Sequence, residues 1–309
     1  SMMANSARDP YWHAAVRREI TDFPESSVSI ETNCSRCHMP MANVVAASQG
    51  RETSVFGNLP IQAGAEGEAA LAADGVSCAA CHQIAPDGLG SEASFTGQFT
   101  VNTDAAPDGR TVYGPFEPDE GGAGIMHSAT GFRPTEGAHM QSAELCSSCH
   151  TLMTHSIRND GSDGVEFPEQ APYLEWQASS FGRKNVTCQD CHMPRLGNSH
   201  FVLPEAGGLE RDPSTIFSHK MPGAADTELL QNALTMKVNA DQTDDTIVVE
   251  VELVNDKTGH HIPTDSPLRH LILLVEVTDE NGEKLTLLEG NTIPEWGGVG
   301  NSDKGYYAG

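Results

Sequence analysis

Eight cysteines lie in this chain, in four pairs: Cys34/Cys37, Cys78/Cys81, Cys146/Cys149 and Cys188/Cys191. Two residues separate the members of each pair, and a histidine follows each one: His38, His82, His150 and His192. Two thiols three residues apart share one face of a helical turn. They can reach the two vinyl groups on one side of a haem and form thioethers. The next residue then projects beneath the ring, where imidazole is a good iron ligand. C-x-x-C-H is the attachment signature of c-type haem. The pattern predicts four haem c groups, anchored by the eight cysteines, with the four histidines as proximal iron ligands.

Other uses of paired cysteines explain less. Disulfides would consume all eight thiols without requiring a histidine after each pair. Two Cys₄ zinc sites would suit paired C-x-x-C, and again leave the histidine surplus. With 13 histidines in 309 residues, a given position is histidine about 4% of the time. Four in four by chance is on the order of a few in a million, so the motif is specific.

A haem iron takes a second axial ligand or leaves that position open for chemistry. Outside the motifs stand His13, His127, His139, His155, His200, His219, His260, His261 and His270. Four of these would suffice for bis-histidine, low-spin coordination throughout. His139 lies seven residues before Cys146, and His155 five after His150. Both are too near motif 3 in sequence to serve it easily, and suit a neighbouring haem. His219 in Phe217-Ser218-His219-Lys220-Met221, His200 after Leu196-Gly197-Asn198, and His260 in Thr258-Gly259-His260-His261-Ile262-Pro263 complete the distal candidates. They rank ahead of His261, His13, His127 and His270. Met2, Met3, Met39, Met126 and Met193 are further options; methionine ligation would raise a potential relative to bis-histidine. Most methionines serve instead as core or haem-edge contacts.

These side chains need elements to hold them. Asp9-Pro10 reads as a capped helix start, with the helix over Tyr11 to Ile20. Each C-x-x-C-H is expected on a short helix of its own. Glu66 to Ala73 and Pro172 to Phe181 are further helices, the latter with Tyr173, Leu174 and Trp176 on its apolar side. Ala85 to Gly124, crowded with Gly, Pro and Asp, reads as long loops with a short hairpin around Phe95 to Val101. Tyr113-Gly114-Pro115-Phe116 reads as a turn laying aromatics on a haem. Asn159 to Gly164 is calcium-like in composition but lacks the glutamate of an EF-hand, and reads as a turn. Motif starts at 34, 78, 146 and 188 are too unevenly spaced for a tandem repeat. Cys37-His38-Met39-Pro40 and Cys191-His192-Met193-Pro194 do echo each other.

Composition changes near residue 226. Ile247 to Leu253 alternates apolar and polar residues, a half-buried strand. His270 to Val277 reads as a second, more buried strand, Asn281-Gly282 as a hairpin turn, and Leu285 to Leu288 as its return. Thr235 to Val238 adds one more. The expected fold is a mostly irregular and helical haem-binding domain over 1–225, organised around four c-type haems, followed by a small antiparallel β domain over 226–309. Four strands are few for a sandwich, and Trp296 to Gly309 reads as a loop, so that domain is expected to be incomplete.

Charge narrows the partners. The chain carries 18 basic and 43 acidic residues, a net charge of −25. That opposes nucleic-acid binding, which relies on Lys and Arg against phosphates, and docking on anionic membranes. No apolar run is long enough to span a bilayer, and Ser1-Met2-Met3 opens no signal peptide. Residues 1 to about 225 lack long Val, Ile and Leu runs and would struggle to offset chain entropy by their own burial. Four macrocycles would supply much of that core.

The combination resembles the bacterial multihaem c-type cytochromes of the periplasm and cell surface. The residues that carry the likeness are Ser6 to Trp12, Asp74-Gly75-Val76-Ser77-Cys78, Tyr113-Gly114-Pro115-Phe116, Ser142 and Glu144-Leu145-Cys146, and Gly259-His260 with Pro263-Thr264. The resemblance implies haems stacked into an electron wire with mostly bis-histidine iron, in the periplasm or at the cell surface, and relatives that continue past Gly309. It favours an electron carrier meeting a redox partner through that partner's basic face, in a salt-sensitive encounter. Two alternatives stand beside it. One is a multihaem oxidoreductase acting on a small nitrogen or sulfur species at one open iron; the other is a subunit of a conductive filament or surface complex.

Overall fold

The computed structural model describes residues 1–289 except 105–108, 159, 161, 201, 202, 204, 206, 207, 244, 245 and 287. The Trp296 to Gly309 segment therefore lies outside the described residues.

Helix α1 (Pro10–Asp22) starts as its sequence dictates. Pro10 is pre-set for the first helical position, and the Asp9 carboxylate accepts the Tyr11 N–H at 2.9 Å. Trp12 and Val16, four residues apart and so on one face, are its buried residues. Helix α2 (Ser27–His38) carries motif 1 on its last turn, and α3 (Pro40–Ser48) restarts at Pro40. Next come α4 (Gly67–Ala73) and α5 (Cys78–His82), which is motif 2.

Strand β1 (Thr111–Gly114), helix α6 (Glu120–Thr130) and strand β2 (Arg133–Glu136) form a small unit in which the two strands run parallel. Helix α7 (Ala143–Ser147) holds Cys146, while Cys149 and His150 follow its end. The antiparallel pair β3 (Leu152–Ile157) and β4 (Asp163–Gln170) comes next. It leads into α8 (Pro172–Ala178), α9 (Ser180–Arg183) and α10 (Cys188–His192), which is motif 4. Helix α11 (Thr227–Gln231) precedes the antiparallel hairpin β5 (Thr235–Gln242) and β6 (Ile247–Val254).

Three expectations need correction. The stretch read as loops up to Gly124 contains β1 and the start of α6. No hairpin forms at Phe95 to Val101; this stretch is a series of turns tied by one bridge, Ile84 to Val101. Residues 270–277 form no strand, and Leu271, Leu273 and Val275 are 54%, 51% and 61% exposed rather than buried. A strand needs a neighbour, and among the described residues the segment is met just at its end, by the Leu285 N–H to Val277 O bond at 2.8 Å beside a bridge between Thr278 and Lys284. The turn between them does form: Gly282 has φ +81°, and Asp279 accepts the Asn281 and Glu283 N–H groups.

In β5 and β6 the alternation sorts the side chains onto two faces, but the apolar face is largely exposed rather than half-buried, with Met236, Val238 and Ile247 open to solvent. Cross-strand partners Met236 and Leu253, Val238 and Val251, and Ala240 and Val249 share one face. Lys237, Glu252, Asn239 and Glu250 share the other, with a Lys237–Glu252 ion pair at 2.9 Å.

Two apolar clusters make the core, and each has a motif cysteine at its edge. One is Ala7, Trp12, Val16, Met39, Ala42, Val55 and Ala72, with Cys34 packed against it. The other is Phe95, Ala143, Tyr173 and Trp176, with Cys188 against it. Met39, the most deeply placed methionine, is a core residue here.

A turn at residues 94–98 joins motif 1 to motif 3. Gly97 donates its N–H to Ser148 O at 2.7 Å, inside motif 3. A Cβ on Gly97 would lie 2.5 Å from Arg36 Cβ and 3.1 Å from Cys37 Sγ, inside motif 1. Its φ is +70°, which costs an L side chain about 1–2 kcal/mol before any clash. Gly97→Ala is therefore expected to destabilise the folded protein by at least that amount. A thermal melt of the variant beside wild type measures it; an unchanged midpoint would show that the two motifs yield freely at this contact.

Candidate functional site

The four motif histidines share one feature. Each has its ring Nδ1 turned to an oxygen acceptor. His38 Nδ1 lies 3.1 Å from Ser6 O, His82 Nδ1 2.6 Å from Tyr113 O, and His192 Nδ1 2.7 Å from Pro222 O. His150 Nδ1 lies 3.5 Å from the Asp265 carboxylate. A main-chain carbonyl only accepts, so Nδ1 of the first three rings carries the proton. That leaves each Nε2 with its lone pair, the arrangement found for metal-bound histidine with an outer-shell oxygen partner. Burial pushes His38 and His192 below the usual histidine range, which favours the neutral, ligating form. For His150 burial works the same way but is outweighed: Asp265 holds this imidazole above the usual range.

The motifs converge. Cys149 lies beside Cys37, and Cys146 beside Cys188. Motif 3 thus touches motif 1 through one cysteine and motif 4 through the other. Cys81 of motif 2 lies close enough to raise both Cys146 and Cys149 electrostatically. Burial pushes Cys34 up to about 12 and Cys81 up to about 11. Cys78 and Cys191 are exposed, whereas the other six are half-buried. No two of the eight form a disulfide, and among the described residues no three His, Cys, Asp or Glu side chains converge on an ion-sized site. The paired thiols lack the further donors of a tetrahedral zinc centre.

Two further histidines stand opposite motif histidines. The His82 and His219 ring centres are 6.2 Å apart with planes 23° from parallel. His192 and His260 stand 6.3 Å apart at 22°. Two imidazoles sharing one ion through opposed nitrogens at ~2.0 Å place their ring centres about 6 Å apart. His219 Nδ1 lies 3.2 Å from Phe217 O, and His260 Nδ1 2.8 Å from His261 O. So these rings, like their partners, keep Nε2 free.

The remaining candidates sit elsewhere. His139 Nε2 donates to Ile84 O at 2.9 Å, and its ring meets Tyr113 edge-on at 4.8 Å. His155 is exposed on β3 opposite Glu166. His200 Nδ1 lies 3.0 Å from Ser199 Oγ. Among the described residues no ring contact joins these three to a motif histidine. His13 Nε2 lies 2.8 Å from Ala7 O, and its ring neighbours Trp12. Trp12 stacks on His38 at 4.2 Å with planes 2° apart. His261 pairs with Glu175 at 3.2 Å.

The segment 255–265 brings His260 and Asp265 to motifs 4 and 3. Glu175 on α8 accepts the His261 N–H at 2.9 Å and the Thr264 hydroxyl at 2.7 Å. Gly259 lies so close to α8 and α9 that a Cβ there would stand 3.0 Å from the Trp176 ring and 3.1 Å from Phe181. The capping box of α10, in which Thr187 N and Oγ1 both bond Asp190, starts motif 4. Of the distal candidates read from the sequence, His219 and His260 stand beside motif histidines. The Asp265 and Trp12 contacts with His150 and His38 are tertiary and have no local signal.

No profile of a known protein family matches the chain, and no curated protein matches it. Among solved structures, a penta-haem cytochrome c552 from Thermochromatium tepidum is similar over 93% of this chain and 68% of its own, with TM-score 0.59 and 19% identity. The chain has the fold of a multihaem c-type cytochrome. No helix among the described residues is long and apolar enough to cross a membrane.

Proposed function

We propose that the chain is an electron-transfer protein holding four covalently attached c-type haems. The observation that carries this reading is the shared tautomer of His38, His82 and His192, each with Nδ1 on a carbonyl and Nε2 free. Cys34/Cys37, Cys78/Cys81, Cys146/Cys149 and Cys188/Cys191 would anchor the groups. His38, His82, His150 and His192 would be the proximal ligands. Haem iron, when bound, supplies reversible one-electron chemistry.

The chain's own residues do the rest. Carbonyls of Ser6, Tyr113 and Pro222 fix ring orientation. His219 would complete the coordination at motif 2, and His260 at motif 4. Trp12 shields one side of the His38 ring. The net charge of −25 suits a redox partner with a basic docking face, and a periplasmic or extracellular setting fits c-type attachment. Residues 1–225 and 226–309 would be two domains joined through segment 255–265. Among the described residues no second histidine ring stands beside His38 or His150. That favours, as a second reading, an oxidoreductase with an open iron at one of these two motifs.

The test is a denaturing mass measurement followed by a spin-state spectrum. The mass should exceed that of the polypeptide by four haems. His219→Ala and His260→Ala should each convert one haem from low-spin to high-spin and let its reduced form bind carbon monoxide. Spectra unchanged in both variants would remove the two pairings. A carbon monoxide response already present in the wild type would favour the oxidoreductase.

A further inference from the structure

His150 differs from its three counterparts. Ser6, Tyr113 and Pro222 offer the other motif histidines an uncharged carbonyl, but His150 faces a carboxylate, Asp265 Oδ1 at 3.5 Å. The contact is built rather than incidental. Asp265 adopts φ +71°, a left-handed conformation that aspartate takes more readily than most residues other than glycine. Its side chain is 22% exposed, and its Oδ1 is sealed from solvent with no hydrogen bond of its own. The His150 ring Nδ1 lies 3.5 Å from that atom. On its other side Arg269 Nη1 stands 3.9 Å from Oδ2 and also donates to Thr264 O at 3.2 Å. Thr264 is in turn anchored to Glu175. The surroundings therefore hold the carboxylate against the imidazole.

A carboxylate partner draws the Nδ1 proton and makes Nε2 a stronger electron donor than a carbonyl partner does. A stronger donor favours the more highly charged oxidised iron, and so does a fixed negative charge nearby. Both effects lower a reduction potential. We infer that Asp265 is a positioning residue, acting through His150, that sets the haem at motif 3 to the lowest reduction potential of the four. Motif 3 is also the one that touches motifs 1 and 4. The low point would thus lie at the junction, where an electron rests least and passes outward.

The inference rests on the reading that motif 3 binds haem c. The experiment uses the full chain, matured with its haems, in wild-type, Asp265→Asn and Asp265→Glu forms. Haem content is counted by mass, and the redox titration is resolved into one-electron steps. Asp265→Asn is expected to shift the equilibrium of the lowest step at least tenfold toward reduction, at ~59 mV per tenfold for one electron. The other three steps should move less, and Asp265→Glu should restore most of the shift. A four-haem Asp265→Asn protein whose lowest step stays put, or whose four steps move together, overturns the inference and leaves the haem reading standing.

If Asp265→Asn does not mature, Arg269→Gln carries the test. Removing the cation that shares the carboxylate should lower the same step, and no movement overturns the inference. A wild-type peptide spanning Cys146 to His150 without attached haem overturns the underlying reading and the inference together.

Discussion

Replacing Cys146 and Cys149 with alanine is expected to leave a protein with three haems that no longer exchanges electrons rapidly between its ends. The reason is the position of motif 3. Cys149 meets Cys37 of motif 1, and Cys146 meets Cys188 of motif 4. Motif 2 stands beside the same pair through Cys81. Cys146 and Cys149, the residues to be replaced, thus stand beside both motif 1 and motif 4. The comparison variant is Cys78→Ala with Cys81→Ala, which also removes one haem but leaves the row of motifs 1, 3 and 4 intact. Stopped-flow reduction by a slow one-electron donor separates the two. The motif 2 variant should keep a single rapid phase for the haems of the row. The motif 3 variant should split into phases whose rates differ by orders of magnitude. Similar, single-phase kinetics in both variants would show that the motifs exchange electrons without the central one. Counting haems by mass in each variant guards against a maturation defect, because two and three haems predict different amplitudes.

Much of this arrangement was legible in the chain, and the reasons for what was not are specific. The C-x-x-C-H motifs are local chemistry and need no fold to be read. Helix α1 follows from Asp9-Pro10, and β6 from the alternation of Ile247, Val249, Val251 and Leu253 with Val248, Glu250 and Glu252. The β3–β4 pair went unseen because Thr154 and His155 face Phe167 and Glu166 across a ladder exposed on much of both sides. With little face buried, hydrophobic periodicity has nothing to report. Helix α6 was hidden by Gly121, Gly122 and Gly124, each a poor helix former. Its ends were nevertheless readable. Asp119 caps it by accepting the Gly122 N–H at 2.7 Å, and Gly131 closes it at φ +77°. In 270–277 the apolar residues were real but a partner strand was assumed, and composition alone cannot supply one. Asp265 left no sequence signal, since its meaning lies in a histidine far upstream that only the tertiary fold brings near. The histidines outside the motifs fall between these cases. Nine were evident, but that His219 stands beside His82 and His260 beside His192 required the coordinates.

The haem-free chain is expected to lack a cooperative unfolding transition. On β5–β6 the apolar face is open, with Met236, Val238 and Ile247 each more than half exposed. The two apolar clusters are small and rich in alanine, with Cys34 and Cys188 at their edges. At about 25 cal/mol per Å² of apolar surface, clusters of that size cannot offset the conformational entropy of some two hundred residues. Haem c would supply the missing apolar area at the positions where the motif cysteines border each cluster. Two preparations decide the matter: the chain made without haem attachment, and a variant with all eight cysteines replaced by alanine. Far-ultraviolet circular dichroism of both should show little helix and a gradual thermal response, while the matured protein melts in one transition. Amide exchange should find protection in α1, α2 and α8 of the matured protein only. A sharp melt with native helix content in either haem-free preparation would mean that polypeptide packing alone holds the fold. The motif histidines would then be pre-set by the chain before any iron reaches them.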